Sequence, residues 1–98
     1  MIENLKELEL SENYIDKMIN TLGYDETLNL SCNIPFIKAN INTLKLFGIN
    51  NIEDLLLFNP DIFLMNPEKL LKKLNNTNTK TFAKLIQEDI TLINELLN

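Results

Sequence analysis

The stretch "LLLFNPDIFLMNPEKLLKKL", residues 55–74, decides how the rest of the chain is read. Its apolar run is interrupted twice, at Asn59-Pro60 and at Asn66-Pro67. Asparagine is favoured just before a helix because its side chain can take up an unpaired N–H of the first turn. Proline suits the first helical position, where its missing N–H would have had no partner. Each Asn-Pro pair is therefore a restart. The stretch predicts a short turn from Pro60 to about Leu64 and a helix from Pro67 to Leu74, in a fold of short helices joined at defined angles.

Working outward, "NNIEDLLLF" (50–58) has Asn50 as cap and Glu53 three residues on, the form of a reciprocal capping box. Ile52, Leu55, Leu56, Leu57 and Phe58 leave almost no polar face, which predicts a central, buried helix. "PFIKANINTLKLFG" (35–48) predicts a helix with Ile37, Ile41 and Leu44 inward and Gly48 as terminator. "DETLNLSCN" (25–33) offers Asp25 as a cap for a helix that ends before Pro35. "SENYIDKMINTLG" (11–23) predicts a helix capped by Ser11 and closed by a left-handed Gly23, with Tyr14, Ile15, Met18, Ile19 and Leu22 on one face. Ile2, Leu5 and Leu8 suggest one more helical turn within residues 1–10, expected to be loosely ordered.

Downstream, "NNTNTKT" (75–81) reads as a polar linker, followed by a final helix over 82–97, roughly 25 Å long at the standard rise. Ala83, Ile86, Ile90, Ile93 and Leu97 follow the spacing of a packing seam, and Phe82, Leu85, Leu92 and Leu96 form a second beside it. The preferred reading buries this helix on two sides within the domain. The alternative is a self-association seam through Ile86, Ile90, Ile93 and Leu97, giving a homodimer. The expected fold is all-α: a compact bundle of about five to six short helices over residues 1–98 as one domain, with two helix-turn-helix-type units and a longer C-terminal helix.

Composition agrees. An apolar fraction of 45% in 98 residues is enough for one core. Two glycines and three prolines are too few for an all-β chain. The absence of arginine and valine, beside abundant lysine, isoleucine and asparagine, reads as AT-rich codon bias. The acidic start lacks the pattern of a signal peptide, no run approaches the length of a membrane span, and a single cysteine, Cys32, suits a reducing compartment. A cytoplasmic location is expected. The net charge of −5 is unevenly distributed. Residues 1–37 hold seven acids against Lys6 and Lys17, residues 38–84 seven lysines against four acids, and the tail three acids and no lysine.

Gly23 and Gly48 are 25 residues apart, as are Pro35 and Pro60, and an isoleucine follows each proline by two. This spacing suggests a duplicated helical unit. Leu44 to Leu74, with Gly48, Ile49, Leu55, Leu56, Pro60, Ile62 and Leu64, resembles the repeat of the mitochondrial transcription termination factor family, and a weaker copy covers Leu22 to Ile41. "LFGINNIEDLL" (46–56) is also similar to a helix-hairpin-helix fragment. The resemblance implies stacked helical units and nucleic-acid binding along a basic concave face.

The chain contains no histidine, which removes the usual general base and the usual partner of a nucleophilic serine or cysteine. One cysteine makes no cysteine-based zinc site, and two glycines make no phosphate-cradling loop. Glu53-Asp54 and Glu88-Asp89 are adjacent in sequence, so on a helix they diverge by about 100° and read as capping and solvation. No catalytic, metal or cofactor site is expected, and no cofactor. Lys69, Lys72, Lys73, Lys80 and Lys84 are the candidate nucleic-acid contacts, read otherwise as an ordinary polar helix face. Cys32, Tyr14, Tyr24 and Phe36 are expected in the core, with the aromatics as alternative partner anchors. The leading expectation is a non-enzymatic module that binds another protein as a regulator or adaptor. The alternatives are nucleic-acid binding through Lys69–Lys84 and self-assembly.

Overall fold

Both Asn-Pro pairs restart the chain. The Asn59 side chain accepts the Asp61 N–H at 3.2 Å and Asn66 accepts the Glu68 N–H at 2.9 Å. A 3₁₀ turn, Pro60–Ile62, follows the first, and an α-helix, Pro67–Asn75, the second. The computed structural model describes the backbone of residues 1–97 and the side chains of residues 1–96. Its α-helices are α1 (Tyr14–Leu22), α2 (Tyr24–Ser31), α3 (Ile34–Leu46), α4 (Ile52–Phe58), α5 (Pro67–Asn75) and α6 (Thr79–Glu88). 3₁₀ segments at Ile2–Leu8, Pro60–Ile62 and Ile90–Leu97 complete it, and the described residues contain no strand. The chain is thus all-helical, divided more finely than the five to six helices expected.

The extra division falls in the C-terminal helix, which does not run through. Asp89 is extended (φ −142°, ψ 97°), and its carboxylate accepts the Thr91 N–H at 3.1 Å and the Thr91 hydroxyl at 2.6 Å. An Asx turn of this kind offers the backbone an alternative to continuing the helix. It is the same device as at Asn59 and Asn66, here without a proline to advertise it.

Three expected caps differ. The first helix begins at Tyr14, after a left-handed Asn13, and Ser11 does not cap it. Glu53 does not fold back on Asn50. Its carboxylate instead accepts the Ser11 N–H at 2.9 Å and the Ser11 hydroxyl, binding the loop before α1 to the start of α4. Ser11 gives the carboxylate two donors, where the capping box would give it one. Asp25 lies in the first turn of α2 rather than ahead of it.

The two stretches expected to form a duplicated unit differ in geometry. At Gly48 (φ +85°) the Ile49 N–H reaches back to the Leu44 carbonyl and the Gly48 N–H to that of Lys45, a Schellman closure with Leu44 and Ile49 both fully buried. Gly23 has a positive φ of 87° but an extended ψ of 162°, so α2 restarts at the next residue. Pro35 opens the thirteen-residue α3, whereas Pro60 opens a three-residue turn.

α3 is the organising element, packed on the N-terminal segment, α2, α4 and α5, with Ile37, Ile41 and Leu44 inward as expected. Asn40 shares that face and is fully buried. Its amide donates to the carbonyls of Phe63 (2.8 Å) and Met65 (2.9 Å), in the link between the two Asn-Pro restarts. A link that leaves helical geometry inside a core exposes carbonyls that need donors, and Asn40 supplies both. α4 is central, with Ile52, Leu55 and Leu56 buried, although Phe58 at its end is exposed. The C-terminal segment closes the bundle against α4, α5, α6 and the Pro60–Ile62 turn. Residues 1–10, expected to be loose, contribute Leu5 and Leu8 to the core. The radius of gyration, 12.9 Å, is that of a compact chain of this length, about 13 Å.

Candidate functional site

The candidate lysines occupy two helices, α5 and α6. Lys69, Lys72 and Lys73 project from α5, with Leu70 and Leu74 buried on its opposite side. Lys80 and Lys84 lie one turn apart on the exposed side of α6. Lys69, Lys72, Lys80 and Lys84 are exposed, and no ion pair holds them among the described residues; Lys73 is half-buried. A salt-sensitive contact with phosphates needs only such mobile charge.

The candidate self-association seam turns inward. Ile86 and Ile93 are fully buried in the core, and Ile90 packs against it partly buried. The break at Asp89 rotates the two halves of the expected helix separately onto the bundle, so the seam is used within the chain. The side chain of Leu97, the seam's last member, lies outside the described residues.

The aromatics divide. Tyr14 is buried, and its hydroxyl donates to the Glu53 main-chain carbonyl. Burial, reinforced by the nearby Glu53 and Asp54 carboxylates, raises its pKa. Tyr24 and Phe36, expected in the core, are 58% and 46% exposed. Leu46 is 87% exposed, carried outward at the end of α3 because Leu44 is committed to the Schellman closure. Cys32, expected to be buried, is exposed and free, since the short α2 turns Leu30 and Ser31 inward instead.

Two hollows flank the loop at residues 9–13. The larger, about 470 Å³, lies between the N-terminal segment and α1. Leu5, Tyr14 and Met18 form its floor, and half-buried Ile2, Leu10 and Ile15 its walls. Glu3, Glu12 and Asp16 stand on its rim with Lys6. Glu3 is bonded to the terminal ammonium at 2.6 Å, which lowers its pKa. The smaller, about 360 Å³, is polar and bordered by Lys45, Asn50, Glu53 and Asp54. Glu9 and Asn13 in the loop are left-handed, a conformation asparagine tolerates and glutamate adopts at a cost of about 1 kcal/mol.

No family model matches the chain, and searches of curated proteins and of solved structures return no match.

The arrangement has the chemistry of a tether and a surface. The Ser11 hydroxyl donates its proton to the Glu53 carboxylate in a hydrogen bond, which ties the loop to α4. Among the described residues no group of three His, Cys, Asp or Glu could hold a metal ion, and no helix is long and apolar enough to cross a membrane. Sequence reasoning passed over Glu53 as a long-range anchor and the smaller hollow it borders. Neither has a local signature, because both depend on residues about forty positions apart meeting in space.

Proposed function

We propose that this chain is a non-enzymatic interaction module that binds another protein, as a regulator or adaptor. The observation that carries the reading is the exposure of Tyr24, Phe36 and Leu46 on a chain with an otherwise well-filled core. Large aromatic and aliphatic side chains at the surface are the usual anchors of protein interfaces, where each fills a pocket on the partner. The location that goes with this reading is the cytoplasm, a reducing setting in which an exposed, unpaired Cys32 persists.

The test is affinity capture from the native cell extract with the full chain and with a Tyr24→Ser/Phe36→Ser/Leu46→Ser variant, each with and without nuclease. All three positions are exposed, so the variant retains its circular dichroism. A protein held by the wild type, released by the variant and indifferent to nuclease is the expected result. Identical capture by both chains, or capture abolished by nuclease, rejects it. The second reading, nucleic-acid binding, is favoured by the unpaired, exposed Lys69, Lys72, Lys80 and Lys84. It requires retarded DNA or RNA in a low-salt gel shift that disappears when Lys69, Lys72 and Lys73 are replaced by Glu.

A further inference from the structure

We infer that the groove between the N-terminal 3₁₀ segment and α1 is the docking site for a basic amphipathic helix of the partner protein. The inference rests on the protein-binding reading and names the chemistry of what is bound. At about 470 Å³ the groove lies within the range of true binding sites, and its floor of Leu5, Tyr14 and Met18 is apolar. Its walls are half-exposed, so it is an open trough suited to side chains presented in a row along a helix rather than to an enclosed small molecule. Helix-in-groove recognition needs such a trough and reads apolar residues at helical spacing.

Charge selects the occupant. Glu3 is neutralised by the terminal ammonium, which leaves Glu12 and Asp16 on the rim against Lys6. The surrounding unit has the same sign: the N-terminal segment, α1 and α2 pack together, and residues 1–37 hold seven acids and two lysines. An acidic helix would be repelled, and a basic one is steered in and oriented by the rim. The loop at residues 9–13 is held by Glu53, so the trough is present before a partner arrives and little ordering opposes docking.

The experiment uses the full chain and two synthetic amphipathic peptides of about four helical turns. They share one leucine pattern; the polar positions are lysine in one and glutamate in the other. Binding is followed by fluorescence anisotropy and mapped by NMR shift changes. The lysine peptide should bind and shift Ile2, Leu10 and Ile15, and the glutamate peptide should not bind. A Glu12→Lys/Asp16→Lys variant, altered only at exposed positions, should bind on the order of tenfold more weakly, the loss shrinking as salt is raised. Ile15→Ser should weaken binding without changing the salt dependence. No binding, equal binding of both peptides, indifference to the double reversal, or shifts confined to other surfaces overturns the inference. Each of these outcomes leaves the Tyr24–Phe36–Leu46 capture result standing, so the two readings fail separately.

Discussion

A few side chains hold the irregular backbone in place, and Asn40 is the most consequential. It donates two hydrogen bonds to the link between the Asn-Pro restarts, while its own carbonyl oxygen is buried without a partner. Asn40→Leu would strand the Phe63 and Met65 carbonyls but relieve that oxygen. The net expectation is destabilisation of about 2–3 kcal/mol, read as a lower urea midpoint with an unchanged slope. Tyr14 acts through a different term. Its pKa is raised in the folded state, by burial first and the Glu53 and Asp54 charges second, from an ordinary value of 10.0. The folded chain therefore holds the phenolic proton more tightly than the unfolded chain does. That contribution is complete below pH 10 and is lost as pH rises above it, where unfolded tyrosine ionises and folded Tyr14 does not. Tyr14→Phe should be less stable at neutral pH by about 1 kcal/mol, for the lost bond to the Glu53 carbonyl, and should show a shallower alkaline decline. Urea denaturation of both proteins at neutral pH and a unit above the tyrosine range checks this, since the lysine contribution is common to both.

At the scale of the element, one device recurs: a side-chain carbonyl or carboxylate accepts the N–H two residues on, at Asn59, Asn66 and Asp89. The first two were legible because proline follows. The third was not, because Asp89-Ile-Thr lies inside an unbroken helical periodicity and that periodicity is satisfied by two shorter helices as well as by one. Asp89→Ala removes acceptors for both the N–H and the hydroxyl of Thr91, and should cost about 1 kcal/mol in thermal or urea unfolding. Gain of helical circular dichroism without loss of stability would instead mean that the break is held by packing alone. The inward face of α3 was read correctly from Ile37, Ile41 and Leu44, whereas Asn40, three residues after Ile37 and four before Leu44, was not singled out on it. A polar residue on a core face signals a buried partner, but its identity, two carbonyls more than twenty residues away, has no local trace. Ser11 and Glu53 show the same boundary: each had the form of a cap in its own segment, and each was claimed by the other across the fold. Exposure of Tyr24, Phe36 and Cys32 was illegible for a related reason, since which side of a short helix faces in depends on what its neighbours cover.

For the molecule as a whole, the question is how firmly the acidic N-terminal unit is joined to the rest. α1 and the loop before it meet α4 at Glu53, which binds Ser11 by its side chain and Tyr14 by its carbonyl. These two connections can be separated. Glu53→Ala removes the bonds to Ser11 but leaves the carbonyl that receives the Tyr14 hydroxyl. α1 should therefore stay docked while the loop at residues 9–13, two of whose residues are left-handed, loses the contact that holds it. Because Glu53 is only half-buried, the global cost should be modest, about 1 kcal/mol. The local effect should be larger. The Ser11 amide should exchange with solvent at close to the rate of an open loop, whereas the Leu55 amide, bonded to the Asn51 carbonyl at 3.1 Å within the core helix, should keep its protection. Ser11, Tyr14 and Leu10 all border the groove, so the same substitution should weaken the lysine peptide although it removes an acid, the charge expected to attract it. A variant whose Ser11 amide stays protected would show that the loop is held by the packing of Leu10 and Tyr14. Loss of protection at Leu55 as well would show that the acidic unit and the core open together.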